Sequence, residues 1–198
     1  MEGSLYLLFI WVLWIYSTFI MEKSKAFRLP IAAFALIMII FHPVHFSVMS
    51  LQISGSSIIL LLICYYLTSK FSWRQQLHLL FAVFALMVGY AGFLLLELYD
   101  PVMIFIDRKI LLSFLLLFIS YVIYPSSIIK RCIFVCLGSL QGDIVFAAIL
   151  SRMDFPYIVG SLEYMDIIVI VSAAFICIET IMKLSKVPKI NKMRKISQ

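Results

Sequence analysis

Seven runs of apolar residues fill almost the whole of this 198-residue chain and leave only short polar gaps between them. A helix needs about 20 mostly apolar residues to cross the hydrocarbon core of a bilayer, and each run approaches or reaches that length. The sequence therefore predicts an all-α bundle of seven transmembrane helices in a single domain, residues 1–184, followed by a basic tail at 185–198. The predicted helices cover residues 5–21, 29–47, 53–69, 77–98, 102–124, 132–150 and 164–184.

The composition excludes a water-soluble fold. Hydrophobic residues make up 64% of the chain and charged residues only 13%, whereas a soluble domain has about 25% charged residues. A soluble protein of this size could not bury so much apolar surface. The lipid bilayer is therefore the predicted surrounding of the chain.

The basic residues predict the orientation of the bundle. Gaps with basic residues alternate with gaps that have few or none, so an N-terminus outside the cytoplasm places thirteen of the sixteen Lys and Arg residues on the cytoplasmic side. Short cytoplasmic loops of membrane proteins carry such an excess. This pattern predicts a multi-pass protein of the cell membrane with a cytoplasmic C-terminus. The net charge of +6 is explained by topology, so no nucleic-acid partner is predicted.

Two of the predicted helices are irregular. Pro43 follows His42 in the second run and is expected to kink the helix or end it early. The fifth run carries Asp107, Arg108 and Lys109 near its outer end. A helix that starts at Pro101 would place these charges about two turns in, where long side chains can reach back to the membrane surface.

The sixth run contains the residues that most strongly suggest a site. Gly138 and Gly142 lie on one helix face and predict close packing against a neighbouring helix. Gln141 and Asp143 stand beside them near mid-membrane. A carboxylate at that depth is costly and is expected to face the bundle interior. It either carries a proton or binds a substrate, or it is a packing acid that is hydrogen-bonded or paired with a cation.

The candidate partners of Asp143 come from two other runs. Arg108 and Lys109 are the nearest cations on the outer side, provided that their helix sits deep enough. His42 and His45 are the alternative, if the broken second helix opens a polar pocket.

Several further residues are assigned packing or interfacial roles. Glu179 lies one turn before Lys183, which predicts a salt bridge along the seventh helix. Gly89 and Gly92 predict a second close-packing face. Tyr157 is expected to belong to a belt of aromatic residues at the membrane surface.

The sequence carries no complete catalytic or metal-binding motif. The four cysteines all lie in apolar runs and lack the spacing of a zinc site. H-E-x-x-H and G-x-S-x-G motifs are both missing, which argues against the corresponding membrane proteases. The sequence predicts no cofactor and no metal.

The chain begins Met1-Glu2-Gly3-Ser4-Leu5-Tyr6-Leu7-Leu8-Phe9, with Trp11 and Trp14 following. This opening and the overall length resemble the YphA family, uncharacterised multi-pass membrane proteins of Bacillus-type spore-forming bacteria. The resemblance implies a bacterial cell membrane and at most a loose association with sporulation. It contributes no catalytic motif, so no functional residue is carried over from it.

Three classes of function follow from these observations. The first is a non-enzymatic accessory or scaffolding protein that packs against a membrane-protein partner. The second is a carrier of small solutes or protons with Asp143 and Gln141 lining a path. The third is a membrane-embedded lipid-modifying enzyme, for which His42, His45, Asp107 and Asp143 are the one candidate cluster. The accessory protein is preferred, because intramembrane polar residues are few and no motif is complete.

Overall fold

The computed structural model describes residues 3–23, 27–48, 51–100, 107–125 and 127–194, which form seven α-helices and three short β-strands. The helices are α1 (Ser4–Ile15), α2 (Arg28–Phe41), α3 (Gly55–Ser69), α4 (Trp73–Tyr99), α5 (Arg108–Ile123), α6 (Ile128–Ser151) and α7 (Leu162–Arg194). A π-helical segment, Tyr16–Ile20, continues α1. The strands are β1 (His45–Val48), β2 (Leu51–Ser54) and β3 (Ile158–Val159).

Among the residues that the structure describes, three helices are long and apolar enough to cross a membrane by themselves. They are α4, α6 and the part of α7 up to Leu184, with 27, 24 and 23 residues. At about 1.5 Å per residue, each exceeds the thickness of the hydrocarbon core, about 30 Å. Shorter apolar helices cover Ser4–Ile20, Arg28–Phe41 and Gly55–Ser69. The protein is therefore helical and membrane-embedded, while a crossing by all seven helices stays a prediction.

Consecutive helices run in opposite directions. Arg108 at the start of α5 forms an ion pair with Glu97 near the end of α4, with 3.2 Å between Nε and Oε2. At the other end of the same two helices, His78 Nδ1 lies 2.9 Å from the Tyr124 hydroxyl. Similar contacts join the end of α1 to the start of α2 and the end of α3 to the start of α4.

This alternation gives the bundle two chemically different ends. One end, here named the basic end, has the start of α4 and α6, and its described cations include Lys23, Arg28, Lys70, Arg74, Lys130, Arg131 and Lys183. The other, here named the hairpin end, has the strands β1–β3 and the start of α5 and α7. Its described acids are Glu97, Asp100, Asp107, Asp154, Glu163 and Asp166.

Helix α6 is the centre of the bundle. Of its most apolar 18-residue stretch, 72% is buried, against 33% for α4 and 22% for α7. A Cβ atom at Gly138 would lie 2.6 Å from Leu86 Cδ2, and one at Gly142 would lie 2.9 Å from the Met87 carbonyl oxygen. Both glycines therefore allow α4 to approach α6 closely.

The second packing face predicted on α4 is wrong. A Cβ atom built on Gly89 or Gly92 meets no described atom within 4 Å. These two glycines face away from the tightly packed side of α4, which Leu86 and Tyr90 occupy.

The small β-sheet was not predicted from the sequence. Helix α2 ends at Phe41 because Pro43 has no N–H group to donate to the preceding turn. The chain then forms an antiparallel hairpin, in which Phe46 pairs with Ile53. Strand β2 also pairs in parallel with β3, where Ile53 faces Val159. The prediction of helix through Ser47 is therefore corrected.

Several other helix boundaries also differ from the prediction, including those of α5 and α7. Helix α5 begins at Arg108, and the Asp107 carboxylate caps it by accepting the N–H of Lys109 at 2.9 Å. The three charges lie at the helix start and not two turns in; Pro101, proposed as the first helical residue, lies outside the described residues. Helix α7 continues past residue 184 to Arg194.

The predicted salt bridge on α7 is confirmed. Lys183 Nζ lies 2.9 Å from Glu179 Oε1, at the i, i+4 spacing.

Candidate functional site

Asp143 is fully buried and is held by the loop that joins α6 to α7. Its carboxylate accepts a hydrogen bond of 2.5 Å from the Tyr157 hydroxyl and one of 2.7 Å from the N–H of Gly160. Removal of a carboxylate from water is costly unless donors replace the lost water, and these two groups are such donors. Both come from the same chain segment, so Asp143 fixes that loop onto the central helix.

Gly160 is a position that only glycine fits. Its φ is +65°, in the left-handed region, and a Cβ atom there would lie 1.7 Å from the Ser57 hydroxyl oxygen. The close approach lets two serines at the start of α3 donate to the loop. Ser54 Oγ donates to the Gly160 carbonyl oxygen at 2.9 Å, and Ser57 Oγ donates to that of Val159 at 3.3 Å. The α6–α7 loop is thus held from α6 on one side and from α3 on the other.

Asp166 on α7 caps the first helix of the chain. Its carboxylate accepts the N–H groups of Gly3 and Tyr6, both at 2.9 Å, and forms an ion pair of 2.8 Å with Lys109 Nζ. Free N–H groups at a helix start carry partial positive charge and favour an anion. The contact therefore ties α1, α5 and α7 together at the hairpin end.

Arg108 links three helices in a similar way. Besides its pair with Glu97 on α4, its Nη1 atom lies 3.6 Å from Glu163 Oε2 in the first turn of α7. All three side chains are partly exposed, so the pairs stabilise the fold only modestly.

The structure gives Asp143 partners other than those considered from the sequence. Arg108 pairs with Glu97 and Glu163, and Lys109 pairs with Asp166. None of these cations donates to Asp143 among the described hydrogen bonds.

Neither histidine forms a hydrogen bond with Asp143 among the described residues. His42 Nδ1 lies 3.4 Å from Ser56 Oγ, and its ring stands 5.3 Å from that of Tyr6. Burial lowers the pKa of His42, and the positive charge of His45 lowers it further. His45 itself is exposed on β1.

Gln141 lies in a different environment from Asp143. Residues two positions apart in a helix are separated by a rotation of about 200°. The side chains of Gln141 and Asp143 therefore leave α6 on opposite sides. The Gln141 side-chain amide donates a hydrogen bond of 2.7 Å to the Tyr65 hydroxyl of α3.

This pair forms part of the wall of a groove, here named the α3–α4 groove. Its volume is about 380 Å³. It is lined by Tyr65, Thr68, Ser69, Trp73, Gln76, Leu77, Leu79, Leu80, Val83, Leu137 and Gln141.

Reasoning from the sequence missed Tyr157, Gly160 and Asp166 as site residues. Tyr157 was assigned to an aromatic belt, but its hydroxyl points to Asp143. Burial raises its pKa well above the ordinary value, and the nearby Asp143 charge adds to this effect. One usable signal was present: Ser54-Gly55-Ser56-Ser57 before an apolar run is typical of a capped helix start.

The polar groups of the hairpin end therefore hold the helices together. The described carboxylates of Asp143 and Asp166 are already occupied by donors from the protein. Within the described ranges, no three His, Cys, Asp or Glu side chains lie close enough to hold a metal ion.

Comparison with known proteins places the chain among integral membrane proteins. Residues 2–198 match the family described as YphA-like integral membrane protein. The chain is also similar to the uncharacterised protein YphA of Bacillus subtilis (strain 168), at 24% identity over 166 residues, which cover 84% of this chain and 81% of the relative. No solved structure matches the chain.

Proposed function

This chain belongs to the YphA-like family of integral membrane proteins, and we propose that it is a non-enzymatic accessory protein that binds a transmembrane helix of a partner protein in the α3–α4 groove. The observation that carries the proposal is the hydrogen-bonded pair of Gln141 and Tyr65 in the wall of an otherwise largely apolar groove. The proposed location is the cell membrane, crossed by all seven helices.

The groove arises from the way in which its walls pack. Helices α3 and α4 both rest on α6, and Leu137 and Gln141 of α6 line the space between them. The space of about 380 Å³ holds several large side chains, as a ridge along a helix would supply.

The polar pair favours a partner helix over a lipid chain. Gln141 lies near the middle of α6, where lipid tails offer nothing to hydrogen-bond with. Its amide carbonyl can accept further hydrogen bonds, and the Tyr65 hydroxyl can donate one. A Ser, Thr or Asn side chain on a partner helix would use these groups, and such bonds between membrane helices contribute about 0.6–2 kcal/mol each.

The positions of Asp143 and Gln141 argue against a carrier of protons or small solutes. A path for protons or solutes through the bundle would need Asp143 and Gln141 on one accessible surface. Asp143 is instead buried with both donors supplied by the α6–α7 loop.

A lipid-modifying enzyme is likewise disfavoured. His42 lies near Ser56, but that serine is completely buried and also lies 3.2 Å from Ser54 Oγ. A nucleophile must be reached by its substrate, and this hydroxyl is enclosed by the fold.

Site-specific photocrosslinking in membranes of the native host tests the proposal. A photoreactive phenylalanine replaces Trp73 or Leu80, which are exposed at the groove. Matched control positions are Phe114 and Phe118, which are exposed on α5. We expect one protein adduct from the groove positions, absent from the controls and lost when Gln141→Leu is added.

Three results would contradict the proposal. They are the same adducts at the control positions, adducts with lipid alone, and an adduct with a second copy of this chain. If the adduct persisted in the Gln141→Leu protein, the Gln141–Tyr65 pair would not contribute to binding of the partner.

A further inference from the structure

A second cavity lies at the basic end, on the other side of α4 from the α3–α4 groove. Its volume is about 170 Å³, and it is here named the basic cavity. It is lined by Phe71, Arg74, Gln75, His78, Leu79, Tyr124 and Lys130.

Two cations from different helices meet in this cavity without a neutralising acid. Arg74 belongs to the first turn of α4 and Lys130 to the first turn of α6. Neither takes part in any ion pair among the described residues, and Lys130 Nζ instead lies 5.7 Å from the centre of the Phe71 ring. Of the described acids, Glu22 and Glu179 belong to this end, and Glu179 pairs with Lys183. The cavity is therefore a site of uncompensated positive charge.

Polar side chains without a fixed charge of their own are joined there by the ring of His78. The Tyr124 hydroxyl and His78 Nδ1 are 2.9 Å apart, and the Gln75 amide adds further N–H groups. The cavity also lies at the N-terminus of the 27-residue helix α4, where the Ser72 side chain makes no capping hydrogen bond. The helix dipole adds to the positive potential there.

The position of the cavity suits a membrane lipid. It lies at the ends of apolar helices, where we expect the lipid headgroups of the bilayer. Phe81 lies two turns further along α4 from Arg74 and is exposed, so an acyl chain could run along that surface beneath a headgroup. Basic pockets between helices at this depth bind anionic headgroups in other membrane proteins.

We propose that the basic cavity binds the phosphate group of an anionic phospholipid through Arg74 and Lys130. Arg74 supplies a planar fork of donors to the phosphate oxygens, and Lys130 supplies a point charge. This site lies apart from the α3–α4 groove and does not depend on the proposed accessory function.

Native mass spectrometry of the full-length protein in detergent tests the proposal. The protein is titrated with phosphatidylglycerol and with phosphatidylcholine, and a further arm adds millimolar inorganic phosphate as competitor. The test variant is Arg74→Gln/Lys130→Gln, and the control is Lys70→Gln/Lys183→Gln, which removes the same charge outside the cavity.

We expect tighter binding of phosphatidylglycerol than of phosphatidylcholine. The cavity variant should bind phosphatidylglycerol at least about tenfold more weakly, since each interfacial charge contributes about 1 kcal/mol. The control variant should change by no more than about twofold. Should the double variant not fold, Lys130→Gln alone is expected to weaken binding about fivefold.

An equal loss of phosphatidylglycerol binding in the test and control variants would overturn the proposal, as would equal binding of the two lipids. Full displacement of phosphatidylglycerol by inorganic phosphate would show a site for the free anion and would also overturn it.

Discussion

The Tyr157 hydroxyl donates a hydrogen bond of 2.5 Å to the buried carboxylate of Asp143. This contact fastens the loop before α7 onto the central helix α6. The same loop accepts hydrogen bonds from Ser54 and Ser57 at the start of α3. One short segment therefore holds the positions of three helices at the hairpin end.

A double-mutant cycle measures the Asp143–Tyr157 contact. Asp143→Ala leaves the Tyr157 hydroxyl and the Gly160 N–H without an acceptor, so we expect a loss of about 2–4 kcal/mol in the free energy of unfolding. Tyr157→Phe should cost about 1–2 kcal/mol, and the two losses should be coupled by about 1–2 kcal/mol. Reversible unfolding in detergent gives these values. Additive losses would show that the two groups do not interact.

Alanine substitutions test how closely α4 and α6 pack. Gly142→Ala places a methyl group 2.9 Å from the Met87 carbonyl oxygen and should destabilise the protein by about 1–3 kcal/mol. The matched control is Gly92→Ala, where space is open. There the higher helix propensity of alanine should leave the stability unchanged or raise it by up to about 1 kcal/mol. Thermal unfolding of the two purified variants compares them directly, and equal effects would contradict this packing.

The helices could be predicted from the sequence because their signals are local. An apolar run of about 20 residues, a proline that ends it or a pair of glycines four residues apart can each be recognised within one segment. The end of α2 before Pro43 and the Glu179–Lys183 pair are of this kind.

The polar contacts at the hairpin end could not be predicted because they join segments that are distant in the sequence. Asp166 accepts the N–H of Tyr6 across 160 positions of the chain, and no periodic pattern connects the two. The cost of placing the Asp143 carboxylate in the membrane could be predicted from its position in the apolar run. Its hydrogen-bond donors, however, lie in an irregular loop. Their identity depends on the left-handed turn at Gly160, which brings that loop against α3.

The pH dependence of stability should report on His42. Its folded-state pKa lies below the ordinary value of 6.5, because burial and the charge of His45 disfavour the protonated ring. At this residue the unfolded chain therefore binds more protons just below pH 6.5, so the contribution of His42 to the free energy of unfolding should fall as the pH is lowered through that region. His42→Gln should flatten this decline. Unfolding in detergent at several pH values compares the variants, and an unchanged slope in His42→Gln would contradict the assignment.

The predicted orientation can be tested by cysteine labelling in intact cells. In a variant with the four native cysteines replaced, Met153→Cys places a thiol in the exposed turn after α6, and Ser72→Cys places one at the start of α4. If the basic end is cytoplasmic, a membrane-impermeant maleimide should label the former and not the latter. Ser72→Cys should become reactive after the membrane is opened. The reverse labelling pattern would show that the basic end lies outside the cytoplasm.

The packing of α3 on α6 can be tested with two native thiols. Cys64 on α3 and Cys136 on α6 are neighbours where the two helices pack together, so we expect copper phenanthroline to join them in the folded protein. In a variant with Cys132 and Cys177 replaced by alanine, oxidation should abolish labelling of the denatured chain by a polyethylene-glycol maleimide, and prior reduction should restore it. A second variant that also carries Cys64→Ala should keep its one label. Full labelling of the oxidised two-cysteine protein would show that α3 does not lie against α6 at this height.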